Sequence, residues 1–60
     1  MNKEEIIQKA EKMIYSLEDT ASFIREAMGF LPEKSAKEVE ANAKAMEDHA
    51  RKLRSQVKEI

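Results

Sequence analysis

The only glycine and the only proline of this 60-residue chain, Gly29 and Pro32, stand together near its middle and separate two apolar stripes. In the first arm the stripe runs Ile6, Ala10, Met13, Leu17, Thr20, Ile24, Ala27, Leu31, with Thr20 alone breaking the apolar rule. In the second it runs Val39, Ala43, Met46, Ala50, Leu53, Val57, Ile60, with Ala36 one step earlier. Steps alternating between four and three residues keep one seam of a helix facing a partner helix, so the pattern specifies coiled-coil-like packing. One continuous helix would carry Gly29 and Pro32 in its interior, at about 1 and 3 kcal/mol respectively. The reading is therefore all-α, an antiparallel two-helix hairpin whose arms, at about 25 residues and 1.5 Å per residue, match at about 38 Å.

Boundaries follow from the capping chemistry. Asn2 can accept from an unpaired backbone N–H at the start of helix 1, and Glu5 three residues on completes a capping-box-like pair. The first helix is expected over about 3–28. Gly29 in the left-handed conformation would end it in a Schellman motif, with Phe30 folding back on the last turn. A turn over about 29–34 follows. Pro32 suits the first turn of a helix, and Ser35-Ala36-Lys37-Glu38 reads as a second capping box, so helix 2 starts between Leu31 and Ser35 and runs over about 35–59. The whole chain, 1–60, is read as one such hairpin.

The two arms differ in width. Helix 1 has an extra apolar line, Ile7, Ile14, Ala21 and Met28, at seven-residue spacing; the matching positions of helix 2 are Glu40, Glu47 and Arg54. Helix 2 places Ala36, Ala43 and Ala50 at one seam position, small residues that let helices approach closely. A narrow helix 2 covers only part of a wide helix 1. The expectation is that Ile7, Ile14 and Met28, with Ala21 on the same line and Phe23 on the flank, form an interface to a second chain. Two hairpins making a symmetric four-helix bundle is the simplest solution, and a different protein offering its own apolar helix would satisfy the same row.

Size points the same way. Below about 70–80 residues a single core rarely supplies more than about 3–5 kcal/mol, so a chain this short needs a supplement. It has no cysteine for a disulfide, and its one histidine, His49, cannot build a structural metal site with ordinary ligand sets. Oligomerisation is the supplement left. Eleven Lys and Arg against twelve Asp and Glu give a formal charge of −1, with no basic tail to capture nucleic acid globally. No apolar run approaches the roughly 20 residues of a membrane span, and Met1-Asn2-Lys3-Glu4-Glu5 does not resemble a signal peptide. The expected location is the cytoplasm, without contact with membrane.

Candidate contact residues are few. Lys37, Lys44, Arg51 and Lys58 form a basic line on helix 2, but Glu33, Glu40 and Glu47 lie four residues before the first three, in the order that favours surface pairing. Only the end lacks such a partner, so Arg51, Lys52, Arg54 and Lys58 are the candidate anion or nucleic-acid contacts. Phe30 in the turn and Tyr15 on helix 1 are candidate contacts for a protein partner. His49 beside Glu47 and Asp48 lacks metal-site spacing, since Met46 stands three residues before it and no carboxylate occupies a seam. With no cysteine nucleophile and no glycine-rich phosphate loop, no catalytic, metal or cofactor residue is assigned.

The fragments Phe23-Ile24-Arg25 and Asp48-His49-Ala50, in a chain of this size and plan, are similar to stretches of the Rop family, small plasmid-encoded helical hairpins that dimerise into four-helix bundles and bind paired RNA loops. The resemblance implies RNA contacts from the outer face of helix 1. There this chain carries Glu4, Glu11 and Glu18, and the two fragments sit differently relative to the turn, so no binding residue carries over. The leading expectation is a non-enzymatic protein-interaction module: a small dimeric adaptor, regulator or inhibitor that presents a helical face to a partner protein. A Rop-like RNA- or DNA-binding regulator acting through the basic end of helix 2, and a purely structural oligomerisation hairpin, are the alternatives.

Overall fold

A computed structural model describes residues Asn2–Ile60. Two helices of 25 residues each, α1 (Lys3–Ala27) and α2 (Glu33–Val57), pack antiparallel and are joined by a 3-10 turn over Met28–Phe30. The Cα trace measures 46 × 15 × 11 Å, a flat rod two helices wide and one deep. No helix of the described residues is long and apolar enough to cross a membrane.

The start of α1 follows its capping chemistry: the Asn2 side chain accepts from the Glu5 backbone N–H at 2.8 Å, and Glu4 and Glu5 lie against the positive helix end. The turn departs from expectation. Gly29 does not adopt positive φ, so no Schellman motif forms. Instead the helix tightens into the 3-10 turn, and the chain reverses at Leu31 (φ −107°, ψ 153°) and Pro32 (φ −58°, ψ 151°), both extended. Pro32 rather than Ser35 then caps α2. Its fixed φ is already suited to the entry, and its carbonyl accepts from Ala36 N at 2.9 Å, so the helix begins at Glu33. Ser35 lies inside the first turn and caps nothing.

Because Gly29 holds an ordinary helical φ and a Cβ there would meet nothing within 4 Å, Gly29→Ala is expected to stabilise the protein by about 0.5–1 kcal/mol. Chemical denaturation of the two proteins measures it; a loss of stability would mean that the glycine is needed for its conformational freedom.

Among the described residues the buried ones are Ile14, Ala21, Ala43 and Ala50. Ile14 and Ala50 are equidistant from Pro32, as are Ala21 and Ala43, which is the register of an antiparallel pair folded at that residue. Half-buried Ile7 with Val57, and Met28 with Ala36, continue the same series towards the two ends of the rod. The seam of the hairpin is thus the Ile7–Ile14–Ala21–Met28 line on α1 against Val57, Ala50, Ala43 and Ala36 on α2. This corrects the expected partner interface: Ile14 is 2 % exposed and Ala21 fully buried, both inside the hairpin itself.

The reason lies in the charges. Glu18 and Arg25 fall four and eleven residues after Ile14, within about 40° of its line on the helix, and can reach across to α2 only if that line faces it. They do reach: Arg25 donates from Nε and Nη2 to Glu40 at 3.0 Å each and pairs with Glu47, while Arg54 Nη2 donates to Glu18 at 2.7 Å. Three apolar lines were available on α1. The ion pairs flanking one of them select it.

Candidate functional site

Once the Ile14 line is used inside the hairpin, the stripe first read as its seam is left on the surface. On α1 it comprises Ile6 (41 % exposed), Ala10, Met13 (62 %), Leu17, Thr20 and Ile24. On α2 the residues displaced to the same side of the alanine seam are Val39, Met46 and Leu53, all half-buried. In an antiparallel pair, equal helical displacements from the two seam lines point to one side of the rod. Both sets therefore share one broad face of the hairpin. Thr20, the polar member, donates its hydroxyl to the Ser16 carbonyl at 2.8 Å, so it can be covered without leaving a donor unpaired.

The opposite broad face carries the cross-helix charges. Two guanidinium groups, Arg25 and Arg54, bridge to Glu40, Glu47 and Glu18. Hydrogen bonds from Arg54 and Arg25 hold the Glu18 and Glu40 carboxyls below the usual glutamate range, and the same bonds, led by Glu40 for Arg25 and Glu18 for Arg54, raise both guanidinium groups. A carboxylate with a depressed folded-state pKa contributes stability above the ordinary glutamate value and loses it as pH falls through the lower one. The helical signal is therefore expected to melt at lower temperature once the pH drops below about 4, and Arg25→Gln should flatten that acid dependence when thermal melts are compared across the pH range. An unchanged slope in the variant would mean the bridges contribute nothing.

These bridges reorder the basic line of α2. Only Glu33–Lys37, at 3.8 Å, forms the expected pair four residues apart. Glu40 and Glu47 turn to Arg25 instead, and Arg51 pairs with Asp48. Arg54, expected at a free positive end, is taken by Glu18 and lies over the Tyr15 ring, 5.7 Å from its centroid. The positive end therefore reduces to Arg51, itself paired, with Lys52 and Lys58. Asp48, Arg51, Lys52 and Ser55 line a shallow depression there, one acid among the bases.

Of the remaining sequence candidates, Tyr15 is 63 % exposed with its ring under Arg54. Phe23 lies on the side of α1 opposite the seam and is 68 % exposed, so it caps no core within the hairpin; Phe30 at the tip of the turn is 92 % exposed. Ile7 and Ile14 do converge with Val57 and Ile60, but around a cleft between the helix ends at the open end of the rod, rimmed by Glu11, Arg54 and Lys58. Among the described residues no group of three His, Cys, Asp or Glu side chains is placed to hold a metal ion. The face missed by sequence reasoning is the one through Ile6, Met13, Leu17, Ile24, Val39, Met46 and Leu53. Its signal was present as the four–three stripe, but its role was exchanged with that of the Ile14 line. Comparison with family models, with curated proteins and with solved structures finds no match to this chain.

Proposed function

We propose that the protein is a non-enzymatic protein-interaction module: two copies join through their apolar broad faces as a four-helix bundle, which presents its outer helical surfaces to a partner protein. The observation that carries this reading is a mismatch within the hairpin. Among the described residues its interior buries one large side chain, Ile14, and three alanines, whereas the Ile6–Met13–Leu17–Ile24 and Val39–Met46–Leu53 stripes lie on one broad face, Ile6 and Met13 exposed and the other five half-buried. A face of 46 by 15 Å offers about 700 Å², close to the roughly 800 Å² per partner of a standard stable interface. In such a bundle Tyr15, Phe23 and Phe30 remain outside, as exposed aromatic groups able to anchor another protein.

A nucleic-acid role draws less support, because the Glu18 bridge occupies Arg54 and Asp48 accompanies Arg51. The test is mass in solution by sedimentation equilibrium at low micromolar concentration. The expected result is twice the 6.9 kDa of one chain, falling to a single chain in Leu17→Lys and unchanged in Phe23→Ser. A wild-type protein that stays monomeric, or a Leu17→Lys variant that stays dimeric, would overturn the assignment of the face.

A further inference from the structure

We infer that the edge of α1 running Asp19, Phe23, Glu26, Phe30 is the surface that enters another protein, and that it fits an apolar groove with a basic rim; this rests on the interaction-module reading above and names the site within it. The chain has two phenylalanines, and the hairpin encloses neither: both are exposed, and both stand on this edge. Asp19, Phe23 and Glu26 lie within about 40° of the point on α1 opposite Ala21 and the seam. The 3-10 turn at Met28–Phe30 continues the rotation and brings Phe30 to within about 60° of the same line. Steps of four, three and four residues thus set two aromatic rings and two carboxylates in alternation along about 16 Å of helix. On the narrow edge of the rod, they stay outside the broad face assigned to the second copy.

The two acids are uncompensated. Three and four residues to either side of Asp19 stand Tyr15, Ser16, Ser22 and Phe23, and around Glu26 stand Ser22, Phe23, Gly29 and Phe30, none of them basic. Arg25, next to Glu26 in sequence, turns to the charged broad face and is held there by Glu40 and Glu47. Lys12, the nearest cation along the same edge, is seven residues before Asp19, about 10 Å away. Among the described residues neither Asp19 nor Glu26 forms an ion pair.

A helix that offers apolar anchors at i and i+7 is received by a groove in its partner. Phe23 and Phe30 therefore fit two apolar pockets about 10 Å apart, and the carboxylates beside them fit Lys or Arg at the rim, which speeds encounter and fixes register. Phosphate-bearing surfaces are disfavoured, since Asp19 and Glu26 repel nucleic acid and anionic lipid alike. Tyr15 falls outside the site, because its ring lies under Arg54 on the charged broad face.

The probe is a synthetic amphipathic peptide of leucine and lysine, whose apolar stripe is rimmed by cations; the same peptide with glutamate in place of lysine is the comparison. Calorimetric titration should show the leucine–lysine peptide binding a protein that keeps its dimer mass. Binding should weaken at least about tenfold in Phe23→Ser and in the double variant Asp19→Lys, Glu26→Lys, and the glutamate peptide should bind the wild type at least about tenfold more weakly. No binding, equal affinity for the two peptides, or undiminished binding in Phe23→Ser would overturn the inference. A complex of one peptide with one hairpin, untouched by Phe23→Ser, would place the peptide on the apolar broad face and overturn it too. A wild-type mass of four chains that returns to two in Phe23→Ser would make a second copy the occupant of this edge, against the groove assigned here. A protein of single-chain mass that still binds the peptide through Phe23 would overturn the dimer and leave this edge assigned, so the two readings fail separately.

Discussion

Ile14→Ala is expected to lower the unfolding free energy by about 3–4 kcal/mol, a large share of what a chain of this size can have. Among the described residues Ile14 is the one large side chain enclosed by the hairpin, 2 % exposed; Ala50 opposite it and Ala21 and Ala43 one heptad towards the turn have no side chain to swing into the space it leaves, while Ile7, Val57 and Ile60 flank it on the side of the open end. Much of the cavity therefore stays open and the cost of lost contacts is felt. Urea titration followed by circular dichroism measures it. Phe23→Ala is the companion measurement: at 68 % exposure on the far side of α1, it should change stability by no more than about 0.5 kcal/mol in the hairpin. If the phenylalanine proved as costly as the isoleucine, the assignment of the seam would be wrong.

The second large effect has the opposite origin, excess volume rather than lost volume. Ala43 and Ala21 are both fully buried and equidistant from Pro32, so they mark a level where the two backbones are held close by the absence of side-chain bulk. Ala43→Leu inserts a branched side chain at that level. Overpacking of this kind costs about 1–3 kcal/mol and often more when the obstacle is backbone, which cannot change rotamer. Forcing the helices apart there also stretches the Arg25 bridges to Glu40 and Glu47, which span the same part of the rod. Ala45→Leu, two residues along on the exposed outer side of α2, is expected to be neutral within about 0.5 kcal/mol. A tolerated leucine at position 43 would show that the helices are not in close contact.

The hairpin itself could be read from residue order, because Gly29 and Pro32 interrupt two stripes of matching length and Asn2 supplies the helix cap by accepting from the Glu5 backbone N–H. Two features could not be read. The conformation of the turn was hidden because glycine permits left-handed φ without requiring it; here Pro32 supplies the reversal and Gly29 remains helical. The division of labour between the apolar lines of α1 was hidden for a different reason. Periodicity shows that Ile6, Ile7, Met13 and Ile14 are all on a broad apolar side, but not which line meets α2. That choice is made by Glu18 and Arg25, whose partners Arg54, Glu40 and Glu47 lie far away in sequence. The same long-range pairs removed the expected local partners of Lys44 and Arg51, so the candidate basic end changed with them. A charge-matching test of the possible registers across the turn would have found both.

Only Leu31 and Pro32 leave helical geometry at the reversal, so the connection to be closed before the first interhelical contacts form is very short, and its entropic cost is correspondingly small. Met28 and Ala36 can meet as soon as the reversal forms, and each later level of the seam is one heptad farther along both arms. Folding is then expected to proceed as a zipper from the turn outward, with the speed of a topology dominated by nearby pairings. The ends of the chain join last. There the cleft among Ile7, Ile14, Val57 and Ile60 is the part of the rod with least to hold it shut, and amide exchange should be fastest at that end and slowest around Ala21 and Ala43.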